Sequence, residues 1–278
     1  MPYLDDPLII FTDLDGSLLD HHDYSWKPAQ PWLDKLAAAN VPLILTTSKT
    51  SAEVAALQTA LHLTHQPFIA ENGAIIHLPP GWQTHEQEPV HVMGARYSDI
   101  RQALVDLRQR YDFEFRGFGD VTPKQVAVWT GLSEAQAELA MQREASEPLV
   151  WFGNDLDFAH LKKCLSREGL ALTRGGRFWH VMGTDAGIMG TDAGKGQAVQ
   201  WLSQLYRQQR GVPVASIGLG DGPNDLSMLE TVDYAVVIKG YHEHQMPVND
   251  GNGSRVFRTT EFGPHGWSQG LNHFITLP

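Results

Sequence analysis

Two short apolar runs, each ending in acidic residues and glycine, constrain the fold of this sequence more than any other feature. The first is PLIIFTDLDG at 7–16, and the second is VASIGLGDGPND at 214–225. A continuous apolar run of this length is typical of a strand that is buried on both faces of a parallel sheet. Because parallel strands open at one edge of their sheet, where ligands bind, we expect the two acid clusters to meet there.

Helical patterns between further apolar runs extend this sheet. Helical spacing occurs in PWLDKLAAAN at 31–40, where Asn40 suits a C-terminal cap, and the next strand is predicted in VPLILTTSK at 41–49. A helix with Ser51 as its N-cap follows, and a strand, a turn and a strand are predicted in PFIAENGAIIHL at 67–78. A strand, a helix and a parallel strand imply a right-handed crossover.

The pattern changes in the middle of the chain. Two amphipathic helices are predicted at 98–111 and 133–145, among aromatic-rich strand candidates. Doubly wound signals return afterwards, so the core is discontinuous in sequence. We therefore predict an α/β fold, with a doubly wound, mostly parallel Rossmann-like core sheet and an inserted α+β cap domain. The predicted segments are 1–85 for the first part of the core, 86–184 for the cap, which would set substrate specificity, and 185–278 for the second part of the core.

Charge and composition exclude several functional classes. The 278 residues include 21 Lys and Arg against 32 Asp and Glu, and this net charge of −11 opposes attraction to nucleic acid. No apolar run reaches the ~20 residues that cross a bilayer, and no secretion signal is visible. The single cysteine, Cys164, excludes an internal disulfide and reads as a helix-packing residue. We expect a soluble cytoplasmic monomer or small homo-oligomer without nucleic-acid or membrane partners.

The first acid cluster places Asp13 and Asp15 on the same side of an extended strand end. Two buried like charges would raise a pKa, and a hard divalent cation with oxygen ligands, usually Mg²⁺ in phosphate chemistry, resolves that conflict. Taken alone, the pair equally fits a polar turn after a strand. The second cluster, with Asp221 and Asp225, favours a site, because a turn does not explain four acids at two strand ends.

Phosphoryl chemistry also needs hydrogen-bond donors and a positive charge beside the metal. Thr47 and Ser48 end the second predicted strand, and Lys195 opens a helix before the last acid cluster. A lone lysine at a helix start is more often solvated, but the position of Lys195 between the motifs favours a role in the site. Just before it, MGTDAG occurs at 182–187 and again at 189–194. We interpret this repeat as a small duplication in the linker.

These motifs, in the order DLDGSLLD, a hydroxyl residue after the second strand, ENGA, GKG and GDGPND, resemble the haloacid dehalogenase superfamily. The resemblance implies a Mg²⁺-dependent phosphatase that forms an aspartyl-phosphate on Asp13, while Asp15 is general acid and then base. It implies that Thr47 and Lys195 bind the phosphoryl oxygens. The implied metal site consists of Asp13, the Asp15 backbone carbonyl and Asp221, steadied by Asn224 and Asp225.

An inserted cap between the hydroxyl motif and the lysine is similar to the sugar-phosphatase subclass. Within it, the chain most resembles mannosyl-3-phosphoglycerate phosphatases, through YSWKPAQPWL at 24–33, TTSKTSAEV at 46–54, IAENGAIIHL at 69–78 and GGRFWHV at 175–181. The implied substrate, 2-O-(α-mannosyl)-3-phosphoglycerate, is a small anionic phosphate ester. The predicted substrate-binding residues are Ser48, Lys49, Asn72, Arg177 and His180.

The two cap residues in this set, Arg177 and His180, are expected to offer positive charge to a substrate carboxylate. An ordinary amphipathic strand with exposed polar residues explains the same pattern. Three other functions stay open. They are a broader sugar-phosphate or glucosyl-3-phosphoglycerate phosphatase, a phosphotransferase or mutase, and a binding protein that has lost turnover.

Overall fold

The computed structural model describes residues 1–83, 88–175, 177–184, 194–241, 246–251 and 253–277. Within these ranges there are twelve strands: β1 Leu8–Thr12, β2 Leu43–Thr46, β3 Phe68–Ala70, β4 Ile75–His77, β5 Val90–Val92, β6 Phe115–Gly117, β7 Ser146–Trp151, β8 Leu170–Gly175, β9 Phe178–Gly183, β10 Ala215–Gly220, β11 Tyr234–Lys239 and β12 Val256–Phe262. The same ranges contain nine α-helices: α1 Gln30–Ala38, α2 Ser51–Ala60, α3 Tyr97–Tyr111, α4 Pro123–Thr130, α5 Glu134–Ala140, α6 Asp155–Arg167, α7 Lys195–Arg210, α8 Leu226–Thr231 and α9 Gly263–Phe274. None of these helices has the length and hydropathy that crossing a bilayer requires.

The chain divides into two compact units. The first comprises Met1–Thr47, Gln66–Ile69 and Lys195–Pro278, and the second comprises Ser48–His65 and Ala70–Gly194. In the first unit the strands run in the order β12-β11-β10-β1-β2-β3, and every neighbouring pair in that series is parallel. The predicted mostly parallel α/β sheet is therefore confirmed.

Strand β1 lies at the centre of the parallel sheet. All five of its residues are buried, which fits an apolar run without alternation. In the register of the sheet, Thr12 lies opposite Leu45 of β2 and Leu219 of β10. The Thr12 hydroxyl also accepts a hydrogen bond of 2.9 Å from the indole Nε1 of Trp267, a fully buried side chain on α9. The last helix of the chain is thereby fixed against the end of its first strand.

The second unit contains a separate antiparallel sheet in the order β6-β7-β9-β8, and the antiparallel pair β4 and β5. Leu149 of β7 and Val181 of β9 lie in one apolar core with residues of α3 and α6. Cys164 is buried in that core, as predicted for a helix-packing residue. Together the two sheets confirm the predicted fold class, a mostly parallel core sheet with an α+β cap.

A buried carboxylate interrupts the apolar face of β7. Glu147 is fully buried and accepts hydrogen bonds from the Tyr97 hydroxyl (2.8 Å), Arg101 Nη1 (3.0 Å) and the Gly119 amide (2.8 Å). Burial raises the pKa of Glu147, and these donors and the charge on Arg101 oppose that rise. A buried charge needs such partners, so this cluster fixes the start of α3 against the sheet.

Asp120 extends the same cluster. Its carboxylate accepts hydrogen bonds from Arg101 Nη2 (2.7 Å), Arg108 Nη2 (2.6 Å) and the Gly117 amide (2.8 Å). Burial alone would raise the pKa of Asp120, but hydrogen bonds from the two guanidinium groups outweigh it and lower the pKa to about 2. Asp120 thus ties the end of β6 to Arg101 and Arg108, which lie two turns apart on α3.

Helix termini correct one prediction and support another. Ser51 is not the N-cap of α2; Thr50 is, because its hydroxyl accepts the Glu53 amide (3.2 Å) while the Glu53 carboxylate accepts the Thr50 amide (2.9 Å). Asn40 takes the left-handed conformation, with φ 54°, just after α1 ends, as a C-terminal cap requires. The predicted segment boundaries at 86 and 184 stay predictions. Most of the MGTDAG repeat, residues 185–193, lies outside the described residues.

Replacing Asp120 by asparagine should lower the free energy of unfolding at neutral pH by about 2 kcal/mol, because two arginines lose a charged partner. A carboxyl whose pKa is lowered by folding stabilises the protein above its unfolded pKa of about 4, and that contribution is lost as pH falls through about 2. Urea unfolding of both proteins at about pH 7 and about pH 3 measures the difference, which should shrink on acidification. A difference that grows instead would contradict this account.

Candidate active site

Lys195, the first residue of α7, is fully buried between two carboxylates. Its Nζ donates hydrogen bonds to Asp13 Oδ1 at 2.5 Å and to Asp225 Oδ1 at 2.7 Å. Asp225 is fully buried, and Asp13 is 8% exposed. Burial alone would lower the pKa of Lys195, but the charges on Asp13 and Asp225 outweigh it and hold that pKa above its ordinary value. The site therefore contains a permanent ammonium group.

Close packing against α8 explains why a glycine, Gly196, follows this lysine. A Cβ at position 196 would lie 2.6 Å from the carbonyl oxygen of Ser227, the second residue of α8. The Gly196 amide donates a hydrogen bond of 3.1 Å to the Ser227 hydroxyl. The start of α7 thus packs directly on backbone that follows the second acid cluster, and this contact places Lys195 beside Asp225.

The end of β1 delivers Asp13 into the site. The Asp13 amide donates to the carbonyl of Leu219 at 2.9 Å, so the ladder to β10 continues one residue beyond the strand. The chain then turns sharply, with Gly16 at φ 85°, a conformation that favours glycine. A Cβ on Gly16 would also lie 2.5 Å from Asp221 Oδ2. Glycine in DLDG therefore lets the two acid clusters approach each other.

The end of β10 delivers the second acid cluster. Asp225 Oδ2 accepts the backbone amides of Asp221 (3.1 Å) and Gly222 (3.0 Å), which fixes the turn. The Ser17 hydroxyl donates to Asp221 Oδ1 at 3.1 Å. Asn224 lies half-buried in the same turn. The predicted meeting of the two clusters at one sheet edge is thus what the structure shows.

Three carboxylates of this edge are placed where they could hold a metal ion. Asp13, Asp221 and Asp225 each offer an oxygen, and these oxygens lie within 4.8 Å of one another. Burial, then the charge on Asp225, raises the pKa of Asp13 to about 7. Burial, then the charge on Asp13, holds the pKa of Asp221 well above its ordinary value. Because one lysine faces three carboxylates, this all-oxygen set fits a hard divalent cation.

The composition of this group differs from the predicted ligand set. Sequence reasoning named Asp13, Asp15 and Asp221 as ligands, with Asp225 in a supporting role, whereas the cluster contains Asp225. Both Asp225 oxygens already accept hydrogen bonds, from Lys195 and from two backbone amides. This is the geometry of a residue that steadies its neighbours. Asp15 is half-buried in the turn after β1, and its predicted role stays a prediction.

Thr47 follows β2 at the same edge of the sheet. It is 1% exposed, and its amide donates to the Ile69 carbonyl at 2.9 Å. Since Leu45 lies opposite Thr12 in the register, Thr47 comes level with the turn that follows Asp13. This placement is compatible with a donor to a phosphoryl group. That role stays a prediction.

The other predicted substrate residues belong to the second unit. Ser48 and Lys49 are half-buried, and Asn72 is fully buried with φ 58°. Arg177 is exposed, and its Nη2 donates to the Thr130 carbonyl at 2.9 Å. It therefore keeps an accessible charge.

His180 corrects one expectation. Its side chain is buried, with 5% exposure, and burial together with the charge on Arg143 lowers its pKa to about 3. The prediction that it offers a positive charge is therefore wrong, because the ring is neutral at physiological pH.

Several polar residues of the two units were missed by sequence reasoning. Ser17 lies inside DLDGS, and its closeness in sequence to Asp13 and Asp15 could have identified it. Glu71 stands inside ENGA, beside the predicted Asn72. Arg143 was missed because two of its partners, Ser48 and Glu71, are distant in sequence and are brought to it by the fold.

Two known protein families each match one part of the chain. The family described as haloacid dehalogenase-like hydrolase matches residues 10–122. The family described as sucrose-6F-phosphate phosphohydrolase matches residues 127–275, which is more than half of the 278 residues. The first match contains Asp13, and the second contains Lys195 and Asp221.

Solved structures share this fold at low identity. BT1666 from Bacteroides thetaiotaomicron, described among phosphatases of the haloalkanoate enzyme superfamily, has a TM-score of 0.65 at 19% identity, covering 97% of this chain and 96% of its own. The subclass IIB sugar phosphatase BT4131 has a TM-score of 0.62 at 16% identity, covering 96% and 98%. The sucrose-phosphatase of Synechocystis sp. PCC6803, in complex with sucrose and phosphate, has a TM-score of 0.61 at 16% identity, covering 97% and 98%. At such identities the likeness shows the fold.

Adding Mg²⁺ should raise the melting temperature of the protein, because the cation binds the folded carboxylate cluster and relieves its repulsion. At a free Mg²⁺ concentration of about 100 times Kd, binding to the folded state raises the free energy of unfolding by about 2–3 kcal/mol. In Asp221→Asn the shift should disappear, while Asp34→Asn, at an exposed position of α1, should keep it. Thermal unfolding with Mg²⁺ or with NaCl of equal ionic strength measures the effect. Equal Mg²⁺ shifts in wild type and Asp221→Asn would contradict the assigned site.

Proposed function

We propose that this chain, which belongs to the haloacid dehalogenase-like hydrolases, hydrolyses a sugar phosphate with Asp13 as nucleophile. Within those hydrolases it falls in the sugar-phosphatase group that includes the sucrose-6F-phosphate phosphohydrolase family. One observation carries the proposal. The Asp13 carboxylate is held 2.5 Å from the buried Lys195 ammonium, beside Asp221. A fixed carboxylate, a fixed positive charge and a cation-binding group at one sheet edge are the components that phosphoryl transfer needs.

In the first step a carboxylate oxygen of Asp13 attacks the phosphorus atom. The bond between phosphorus and the sugar oxygen breaks, and Asp15 gives its proton to the departing oxygen. The products of this step are the free alcohol and an aspartyl-phosphate on Asp13. Lys195 holds the attacking carboxylate in place, and its charge favours the negative phosphoryl oxygens.

In the second step water attacks the phosphorus atom of the aspartyl-phosphate. Asp15, now a carboxylate, takes a proton from that water, and the bond between phosphorus and the Asp13 oxygen breaks. Inorganic phosphate leaves, and Asp13 and Asp15 return to their starting states. Ester and water have then become alcohol and phosphate.

The charge state of Asp13 matters for this chemistry, because only the carboxylate attacks. Burial and Asp225 raise its pKa to about 7, and Lys195 favours the charged form. Asp13, the Asp15 backbone carbonyl and Asp221 would hold a divalent cation, Mg²⁺ in our proposal, with Asp225 and Asn224 steadying them. Such a cation supplies positive charge to the phosphoryl oxygens when bound.

The substrate we propose is 2-O-(α-mannosyl)-3-phosphoglycerate. Support comes from the four segments that resemble mannosyl-3-phosphoglycerate phosphatases, among them the SKT sequence with Lys49. The exposed guanidinium of Arg177 offers the charge that a glycerate carboxylate requires. Ser48, Lys49 and Asn72 are the other proposed substrate contacts.

A second candidate substrate is sucrose 6-phosphate. It is favoured by the match of residues 127–275 to the sucrose-6F-phosphate phosphohydrolase family. This ester lacks the glycerate carboxylate, so it makes no demand on Arg177. Glucosyl-3-phosphoglycerate, another possible substrate, differs from the first candidate only in the sugar. A mutase would differ in its reaction, because it would return a new phospho-sugar in place of free phosphate.

The mechanism is tested by replacing the nucleophile. In Asp13→Asn, phosphate release with Mg²⁺ should fall at least about 10³-fold, because an amide cannot form the intermediate. Asp34→Asn should retain full activity. Full activity in Asp13→Asn would refute the mechanism.

A panel of esters separates the substrates. We expect kcat/KM to be highest for the mannosyl ester, lower for glucosyl-3-phosphoglycerate, and lower still for sucrose 6-phosphate and simple hexose phosphates. Arg177→Gln should reduce kcat/KM only for the two esters that carry a carboxylate. A preference for sucrose 6-phosphate would replace the first candidate with the second.

A further inference from the structure

Glu71 is a fully buried carboxylate whose hydrogen-bonding capacity is used within the second unit. Oε1 accepts the Glu144 amide at 2.7 Å, and Oε2 accepts the Ala145 amide at 3.2 Å and the Ser146 hydroxyl at 2.7 Å. Both of its oxygens are already engaged by donors of the protein, so we assign this carboxylate no direct contact with a ligand. Its contacts instead tie the turn after β3 to the segment that enters β7.

Arg143 supplies the matching charge. Its side chain is 3% exposed, and its Nε lies 3.5 Å from Glu71 Oε2. Its Nη1 and Nη2 donate to the Ser48 carbonyl at 3.2 and 3.3 Å, and Nη2 also donates to the Ser146 hydroxyl at 2.6 Å. The guanidinium therefore joins the segment after β2 to the same carboxylate.

The backbone closes this network. The Glu71 amide donates to the Lys49 carbonyl at 2.9 Å, so residues 48 and 49 are held by both members of the ion pair. Glu71 and the next residue, Asn72, have φ of 52° and 58°. Two successive non-glycine residues in the left-handed region persist only where their surroundings fix them. Here the surroundings that fix them are the four partners of the Glu71 carboxylate and the Lys49 carbonyl.

We propose that Glu71 and Arg143 are positioning residues that set the geometry of Ser48, Lys49 and Asn72 for the sugar part of the substrate. The inference rests on the proposed function, which makes those three residues substrate contacts. The polar atoms of both side chains are engaged within this network, so neither is assigned a contact with the ester. Their effect is therefore on binding of the leaving group, and the reacting atoms at Asp13 are unaffected.

The test compares two substrates in two variants. Glu71→Gln keeps the shape of the side chain but removes its charge, and Arg143→Gln removes the guanidinium. Each should raise KM for the best sugar phosphate at least about tenfold, with kcat/KM for p-nitrophenyl phosphate changed less than about twofold. Arg143→Lys, which keeps the charge but not the fork of donors, should recover only part of the loss.

A matched control separates positioning from general stability. Asp120→Asn removes another arginine-bound carboxylate from the same unit, so it should lower the melting temperature without changing KM for either ester. All assays are run well below the melting temperature of each variant. If both esters lose activity equally in Glu71→Gln, or if Asp120→Asn raises KM for the sugar phosphate as much, the positioning role is refuted.

A second measurement does not depend on turnover. Hydrogen exchange should be faster in peptides covering 46–54 and 69–78 of Glu71→Gln than in wild type, and unchanged there in Asp120→Asn. Unchanged exchange in Glu71→Gln would overturn the inference even if the enzyme is active. If the wild type hydrolyses no phosphate ester while exchange responds as expected, the proposed function fails and the network itself stands.

Discussion

The buried ion triplet of Lys195 with Asp13 and Asp225 is the interaction on which the first unit depends. It joins the end of β1, the start of α7 and the turn after β10, three places far apart in the chain. Removing one member of a buried pair leaves an uncompensated charge, at a cost of about 3–5 kcal/mol. The same ammonium that stabilises the fold orients the proposed nucleophile, so in this proposal stability and chemistry share one group.

Charge balance explains the rest of this site. One lysine does not neutralise Asp13, Asp221 and Asp225, and burial, followed by this excess of negative charge, raises the pKa of Asp13 and of Asp221. A divalent cation would complete the balance, whereas one proton would leave a negative charge in excess. The second unit uses a related device twice, with Glu147 and Glu71 each buried on backbone amides and an arginine. There the charges balance without a metal, which fits supporting rather than reacting groups.

Structural features that depend on residues close together in the sequence could be predicted from it. The apolar runs, the acids after them and Gly16 are local, and they were enough to predict a parallel sheet with a site at its edge. Thr50 and Ser51 are neighbouring hydroxyl residues where α2 begins, so only the reciprocal bonds with Glu53 distinguish the cap. The charge state of His180 depends on how deeply the fold buries it, which alternation does not encode. Arg143 lies in a polar segment, and its partners Ser48 and Glu71 are distant in sequence.

The central claim, that Asp13 carries the phosphoryl group, is tested most directly by trapping the intermediate. Enzyme turning over a sugar phosphate with Mg²⁺ is quenched and treated with borohydride, which reduces an acyl phosphate to an alcohol. Mass spectrometry should then find homoserine at position 13, in a fraction of molecules that falls to zero without substrate. Turnover with unmodified Asp13, or modification at another carboxylate such as Asp15, would contradict the account.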